Sequence, residues 1–168
     1  NNKISKVHPL GKDISFVQLY LDFNQISSLP RDEEGYFCGY DDVESFSINY
    51  NRLTKVPNIF NANSKFTMAS VSFAGNQIDG FEDGDNYKGI RVETFTLSQN
   101  LLEKYPVELA KSNSMVNYII LRANHISEVP EGAFTYRNSV DMTSLDLSYN
   151  NISDLPKDMH AGNLPYLY

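Results

Sequence analysis

The sequence predicts a solenoid of short parallel strands, and three observations predict it. One apolar segment recurs along almost the whole chain, an asparagine returns at a fixed place in every copy, and apolar anchors frame each copy at constant distances. The first copy reads Leu19-Tyr20-Leu21-Asp22-Phe23-Asn24-Gln25-Ile26 and the last complete one Leu145-Asp146-Leu147-Ser148-Tyr149-Asn150-Asn151-Ile152. Between them the same spacing is kept by Phe46, Ile48, Asn51 and Leu53, by Val71, Phe73, Asn76 and Ile78, by Phe95, Leu97, Asn100 and Leu102, and by Ile119, Leu121, Asn124 and Ile126, which makes six complete cores. The asparagines Asn24, Asn51, Asn76, Asn100, Asn124 and Asn150 are separated by 27, 25, 24, 24 and 26 residues.

Each element of a repeat has a physical reason. Three residues before each core stands an apolar anchor: Phe16, Val43, Met68, Val92, Val116 and Met142. The alternation that follows, as in Phe95-Thr96-Leu97-Ser98, places apolar side chains on one face of a strand. A single strand of this kind cannot bury its face, whereas successive turns pair in parallel about 4.8 Å apart and share one core. A turn must follow, and an asparagine there both donates and accepts, satisfying inward-bent backbone groups that would otherwise cost about 1 to 3 kcal/mol each. Three residues after the Ile or Leu comes another apolar residue, usually backed by proline: Leu29-Pro30, Val56-Pro57, Tyr105-Pro106, Val129-Pro130 and Leu155-Pro156, with Phe81 lacking its proline. The remaining half of each repeat lies behind the strands, where length is free. It holds an acidic insertion at residues 31–42 and Asp79, Glu82, Asp83 and Asp85. Pro106-Val107-Glu108-Leu109-Ala110-Lys111 reads as a short helix with proline in its first turn, and 3₁₀ turns or irregular chain are expected elsewhere on that side.

The pattern L-x-x-L-x-L-x-x-N-x-L-x-x-L-P resembles the leucine-rich-repeat family, and Val129-Pro130-Glu131-Gly132-Ala133-Phe134 looks like the back half of its roughly 24-residue typical subtype. The resemblance covers almost the entire chain. It implies an α/β fold, a right-handed solenoid curved as a horseshoe arc, with the strands on the concave face and irregular, 3₁₀ or short helical segments on the convex side. Leu19 to Pro30, Phe37-Cys38-Gly39-Tyr40 and Val56-Pro57-Asn58-Ile59-Phe60 further resemble large leucine-rich-repeat surface proteins of gut Bacteroidetes. Residues 1–168 read as one such domain of six full repeats. Asn2-Lys3-Ile4-Ser5-Lys6-Val7 fits the tail of a preceding repeat and Leu164-Pro165-Tyr166-Leu167-Tyr168 the opening of a following one, so an internal fragment of a longer array is expected.

Composition removes several function classes. A net charge of −7 disfavours nucleic acid and anionic membranes, which need a basic surface to displace counterions. No apolar run approaches the roughly 18 to 20 residues of a membrane span, so no membrane insertion of this segment is expected. A single cysteine, Cys38, supports neither an intrachain disulfide nor a cysteine-rich metal site.

Chemistry is then sought among the outward residues of the strands, which form columns across the repeats. The middle column runs Tyr20, Ser47, Ser72, Thr96, Ile120, Asp146 and Tyr168; the one before it Gln18, Ser45, Ser70, Thr94, Tyr118, Ser144 and Tyr166; the one after it Asp22, Asn49, Ala74, Ser98, Arg122 and Ser148. Beside the asparagines lie Phe23, Tyr50, Gly75, Gln99, Ala123 and Tyr149. Aromatics therefore gather at both ends of a small polar floor. Tyr20, Asp22, Phe23, Asn49 and Tyr50 make one candidate ligand-binding patch and Tyr118, Arg122, Asp146 and Tyr149 another, since exposed tyrosine offers large contact area at low entropic cost. The same columns also fit the preference of Tyr and Thr for strands.

Catalysis finds no constellation. His8, His125 and His160 fall in different contexts, and Asp146 is too far from His125 in repeat register to orient it as a base. The acidic run Asp32-Glu33-Glu34 reads as a solvated loop. Asp79-Gly80-Phe81-Glu82-Asp83-Gly84-Asp85-Asn86 gathers oxygen ligands but misses the EF-hand spacing, and no phosphate-cradling glycine motif occurs, so no metal and no cofactor are assigned. The expectation is a non-enzymatic module that binds a protein or peptide, extracellular or on a bacterial cell surface. A carbohydrate ligand or a passive spacer role are the alternatives.

Overall fold

The computed structural model describes residues 2–8, 17–30, 43–57, 59, 67–82, 91–107, 109, 115–133, 142–157 and 165–168. Within them seven strands follow one another: β1 (Gln18–Tyr20), β2 (Ser45–Ser47), β3 (Met68–Ser72), β4 (Arg91–Thr96), β5 (Met115–Ile120), β6 (Ser144–Asp146) and β7 (Tyr166–Leu167). They form one sheet in sequence order, every neighbour parallel. This is the topology of a solenoid, because each strand pairs only with the turn before it and the turn after it.

The register aligns the repeats residue for residue. Leu19, Phe46, Val71, Phe95, Ile119, Leu145 and Leu167 occupy one row across all seven strands. From Phe46 to Leu145 this row is buried, and it joins Ile48, Phe73, Leu97 and Leu121 just beyond the strands and Ile26, Leu53, Ile78, Leu102 and Ile126 after the asparagines in a continuous apolar core. Phe46, Phe73 and Phe95 fill its centre, with ring centroids 5.9 and 5.8 Å apart in edge-on and tilted contact, geometries that favour aromatic pairs.

The asparagines tie consecutive turns together. The Asn100 Nδ2 donates to the Leu97 and Ser98 carbonyls of its own repeat and to the Phe73 carbonyl of the repeat before, at 3.1, 3.2 and 3.0 Å, while its Oδ1 accepts the Ile78 N–H at 3.0 Å. Asn51, Asn76 and Asn150 repeat all four contacts one repeat apart, and Asn124 repeats three of them. At the start of the chain the Asn24 Oδ1 accepts the Ile4 N–H, and backbone bonds from Asn2 N–H to the Phe23 carbonyl and from Gln25 N–H to the Ile4 carbonyl lay the Asn2 to Val7 segment against the first repeat.

Among the described residues the convex side is largely irregular. The segment read as a short helix shows a turn in which the Leu109 N–H donates to the Pro106 carbonyl at 3.1 Å, and its other residues beyond Val107 lie outside the described set. The acidic insertion, the anchor Phe16, Cys38 and His160 also lie outside it. Among the described residues no helix is long and apolar enough to cross a membrane.

Candidate binding face

A sharp bend follows each of the first six strands, since the chain must turn inward at once to carry the asparagine into the core. The residue before each asparagine makes that bend in the left-handed region: Phe23, Tyr50, Gly75, Gln99, Ala123 and Tyr149 have φ of 56°, 52°, 66°, 55°, 56° and 58°. Only one is glycine, although a side chain there costs about 1 to 2 kcal/mol. The conformation holds these side chains in a line along one edge of the strand face. Phe23, Tyr50 and Tyr149 are 51, 46 and 73% exposed.

The line is ordered by its own contacts. Phe23 and Tyr50 stack at 4.7 Å between centroids and 13° between planes. The Tyr50 ring then lies across Gly75, where a Cβ would stand 2.5 Å from its Cδ1, and its hydroxyl meets the Gln99 Oε1 at 3.1 Å. Glycine at 75 thus serves two needs, a positive φ and the close approach of a ring. Further along, the Arg122 guanidinium sits 4.1 Å from the Tyr149 ring centroid and bonds the Ser148 Oγ at 2.8 Å. Such a cation–π contact is worth about 0.5 to 1 kcal/mol at an exposed site. The two patches expected from sequence are therefore closer to a single ridge, since Tyr50 bridges the third repeat to reach the fourth and only Ala123 separates Gln99 from Tyr149 along it.

The remaining candidates divide. Tyr20, 59% exposed, and Tyr118, 37% exposed, stand on the open strand face, Tyr118 in register with Thr94 on one side and Ser144 on the other. Asp22 and Asn49 are engaged with the next repeat. The Asp22 carboxylate accepts the Ser47 hydroxyl at 2.8 Å and the Asn49 N–H at 2.6 Å, and the Asn49 Oδ1 accepts the Ser72 hydroxyl at 2.6 Å and the Ala74 N–H at 2.7 Å. Asp146 turns to its own strand end, accepting the Ser148 N–H at 2.9 Å. Sequence reasoning placed Gln99 in the line beside the asparagines without counting it among the candidate residues, and it overlooked this outer set of side-chain bonds. The signal for that set was present as an Asp or Asn followed one repeat later by Ser in the middle column.

Other groups considered from sequence are dispersed. His8 and His125 are both exposed, on separate repeats. Asp79, in the loop rich in oxygen ligands, pairs with Lys55 Nζ at 2.8 Å, and residues 83–86 of that loop lie outside the described set. No group of three or more His, Cys, Asp or Glu gathers among the described residues.

Comparison with known proteins agrees with this geometry. The Leucine Rich Repeat family model matches residues 141–161. Chicken lumican (Gallus gallus) is 29% identical over 164 residues, 95% of this chain and 39% of lumican, and human lumican is 28% identical over 93% of the chain and 43% of its own length. A leucine-rich repeat protein from Bacteroides thetaiotaomicron superimposes with a TM-score of 0.85 at 33% identity over 99% of this chain, and one from Bacteroides eggerthii with 0.79 at 32% over 94%. The chain spans about two fifths of the lumicans and 21 and 27% of the two Bacteroides proteins. The leucine-rich-repeat fold generally serves as a non-enzymatic, repeat-built module for protein interaction. By its repeat consensus, its in-register parallel ladder and these likenesses, the chain has the leucine-rich-repeat fold and is similar to proteins of the leucine-rich-repeat family.

Proposed function

We propose that this chain is a protein- or peptide-binding module of a bacterial cell-surface protein, and that its partner rests on the strand face along the aromatic ridge. The observation that carries the reading is the ridge itself. Phe23, Tyr50 and Tyr149 are exposed yet held by stacking, by the Gln99 bond and by Arg122. Aromatic surface fixed before binding loses little entropy on complex formation. The bacterial origin is supported by the likeness to the two Bacteroides proteins, and the surface location by the sequence resemblance to surface proteins of gut Bacteroidetes. A polypeptide is favoured over a glycan because the acceptors that would bond sugar hydroxyls beside Tyr20 and Tyr50, on Asp22 and Asn49, are already occupied within the scaffold.

The test is affinity capture from host-cell and bacterial surface extracts, using the parent beside a variant with Tyr20, Tyr50, Tyr118 and Tyr149 changed to Ser. The expected result is a protein retained by the parent and lost by the folded variant. Equal retention by both overturns the assignment of the face, and selective retention of glycan overturns the partner class.

A further inference from the structure

The outer bonds of Asp22 and Asn49 form a series that stops abruptly. In each case one side chain accepts from two donors of the next repeat, a middle-column hydroxyl and the backbone N–H two residues later, Asp22 with its two carboxylate oxygens and Asn49 with its Oδ1 alone. Asp22 meets Ser47 and the Asn49 N–H, and Asn49 meets Ser72 and the Ala74 N–H. The strand register makes Ser47, Ser72 and Thr96 equivalent positions. The next member of the series therefore has its two donors, the Thr96 hydroxyl and the Ser98 N–H, but the acceptor position is filled by Ala74, whose methyl group cannot accept. Among the described residues nothing accepts from either donor, and Thr96 and Ser98 are both only half-buried.

We propose that this gap is a subsite for a carboxylate or carboxamide oxygen on a side chain of the bound polypeptide, which takes between molecules the place that Asp22 and Asn49 take within the chain. It rests on the reading of the face as a polypeptide-binding surface. Two features suit it. The chain itself presents both kinds of oxygen to the equivalent donors of the two preceding repeats. The Tyr50 ring crosses Gly75, the neighbour of Ala74, and its hydroxyl reaches Gln99, the neighbour of Ser98, so an aromatic wall runs beside the gap.

The experiment follows the Ser98 amide by nuclear magnetic resonance in ¹⁵N-labelled protein, with acetyl-Asp-amide, acetyl-Asn-amide and acetyl-Ala-amide as probes. The parent and the variants Ala74→Asn and Thr96→Val are compared. In the parent the Ser98 amide is expected to shift with the Asp and Asn probes at millimolar concentration and to stay in place with the Ala probe, a stronger response to Asp than to Asn marking an acidic partner. Ala74→Asn completes the series internally, so the Ser98 amide exchanges on the order of tenfold more slowly with solvent and no longer titrates. Thr96→Val weakens the response in a chain whose gap is still open. A parent amide that does not shift, that shifts equally with the Ala probe, or that still titrates in Ala74→Asn overturns the subsite. Since Ala74→Asn leaves all four ridge and face tyrosines intact, this failure is separate from loss of partner capture, which bears on the wider reading.

Discussion

Asn100 shows how much of the fold one side chain can hold. It is 4% exposed, donates to three carbonyls of two repeats and accepts an N–H from the earlier one. Asn100→Ala leaves those groups in the core without a partner, and the expected loss is about 1 to 3 kcal/mol in urea unfolding. An unchanged midpoint contradicts the register. The residue before it obeys a different rule. Ala123 holds φ at +56°, so Ala123→Gly removes about 1 to 2 kcal/mol of strain against the roughly 0.4 to 1 kcal/mol of freedom that glycine adds to the unfolded chain. A net gain of about 0.5 to 1 kcal/mol is expected, read as a raised melting temperature, and a lowered one would show that the bend carries no strain.

At the scale of the repeat, strand and ridge are coupled through the third turn. Gly75→Ala drives its methyl group into the Tyr50 ring and displaces it from Gln99. In a Tyr50→Ser background the same change meets no ring. The two substitutions are therefore non-additive, with a coupling of about 0.5 to 1.5 kcal/mol in a double-mutant cycle, and additivity would place the Tyr50 ring elsewhere. This contact also marks the limit of what the repeat pattern conveys. The strands and the phase of the asparagines were legible because a two-residue alternation and a fixed interval recur six times, and each recurrence repeats the same burial requirement. The bends were not, because five of the six positive-φ residues are types that ordinarily avoid that region, and only Gly75 carries a local signature. Asp22 and Asn49 looked like ligand-binding groups for a related reason. Their partners, Ser47 and Ser72, are 25 and 23 residues away, and a column read one residue at a time does not reveal a bond running across it.

Across the whole molecule, each described strand pairs only with its neighbours, the Tyr50–Gln99 bond reaches two repeats along, and scaffold and surface use different side chains. The asparagine column and the Asp22 and Asn49 bonds run between turns and hold the array together. The ridge from Phe23 to Tyr149 leans on that array and leaves aromatic surface in solvent, which is where a partner gains most per side chain. Site-specific photo-crosslinking tests this division most directly. A photoreactive residue replaces Tyr118 on the strand face in one protein and Lys55, exposed beyond the asparagine turn and outside the strands, in another, each being irradiated with the captured partner. The account predicts a covalent adduct from position 118 and none from position 55, whereas an adduct from position 55 alone would contradict it and move recognition off the strand face.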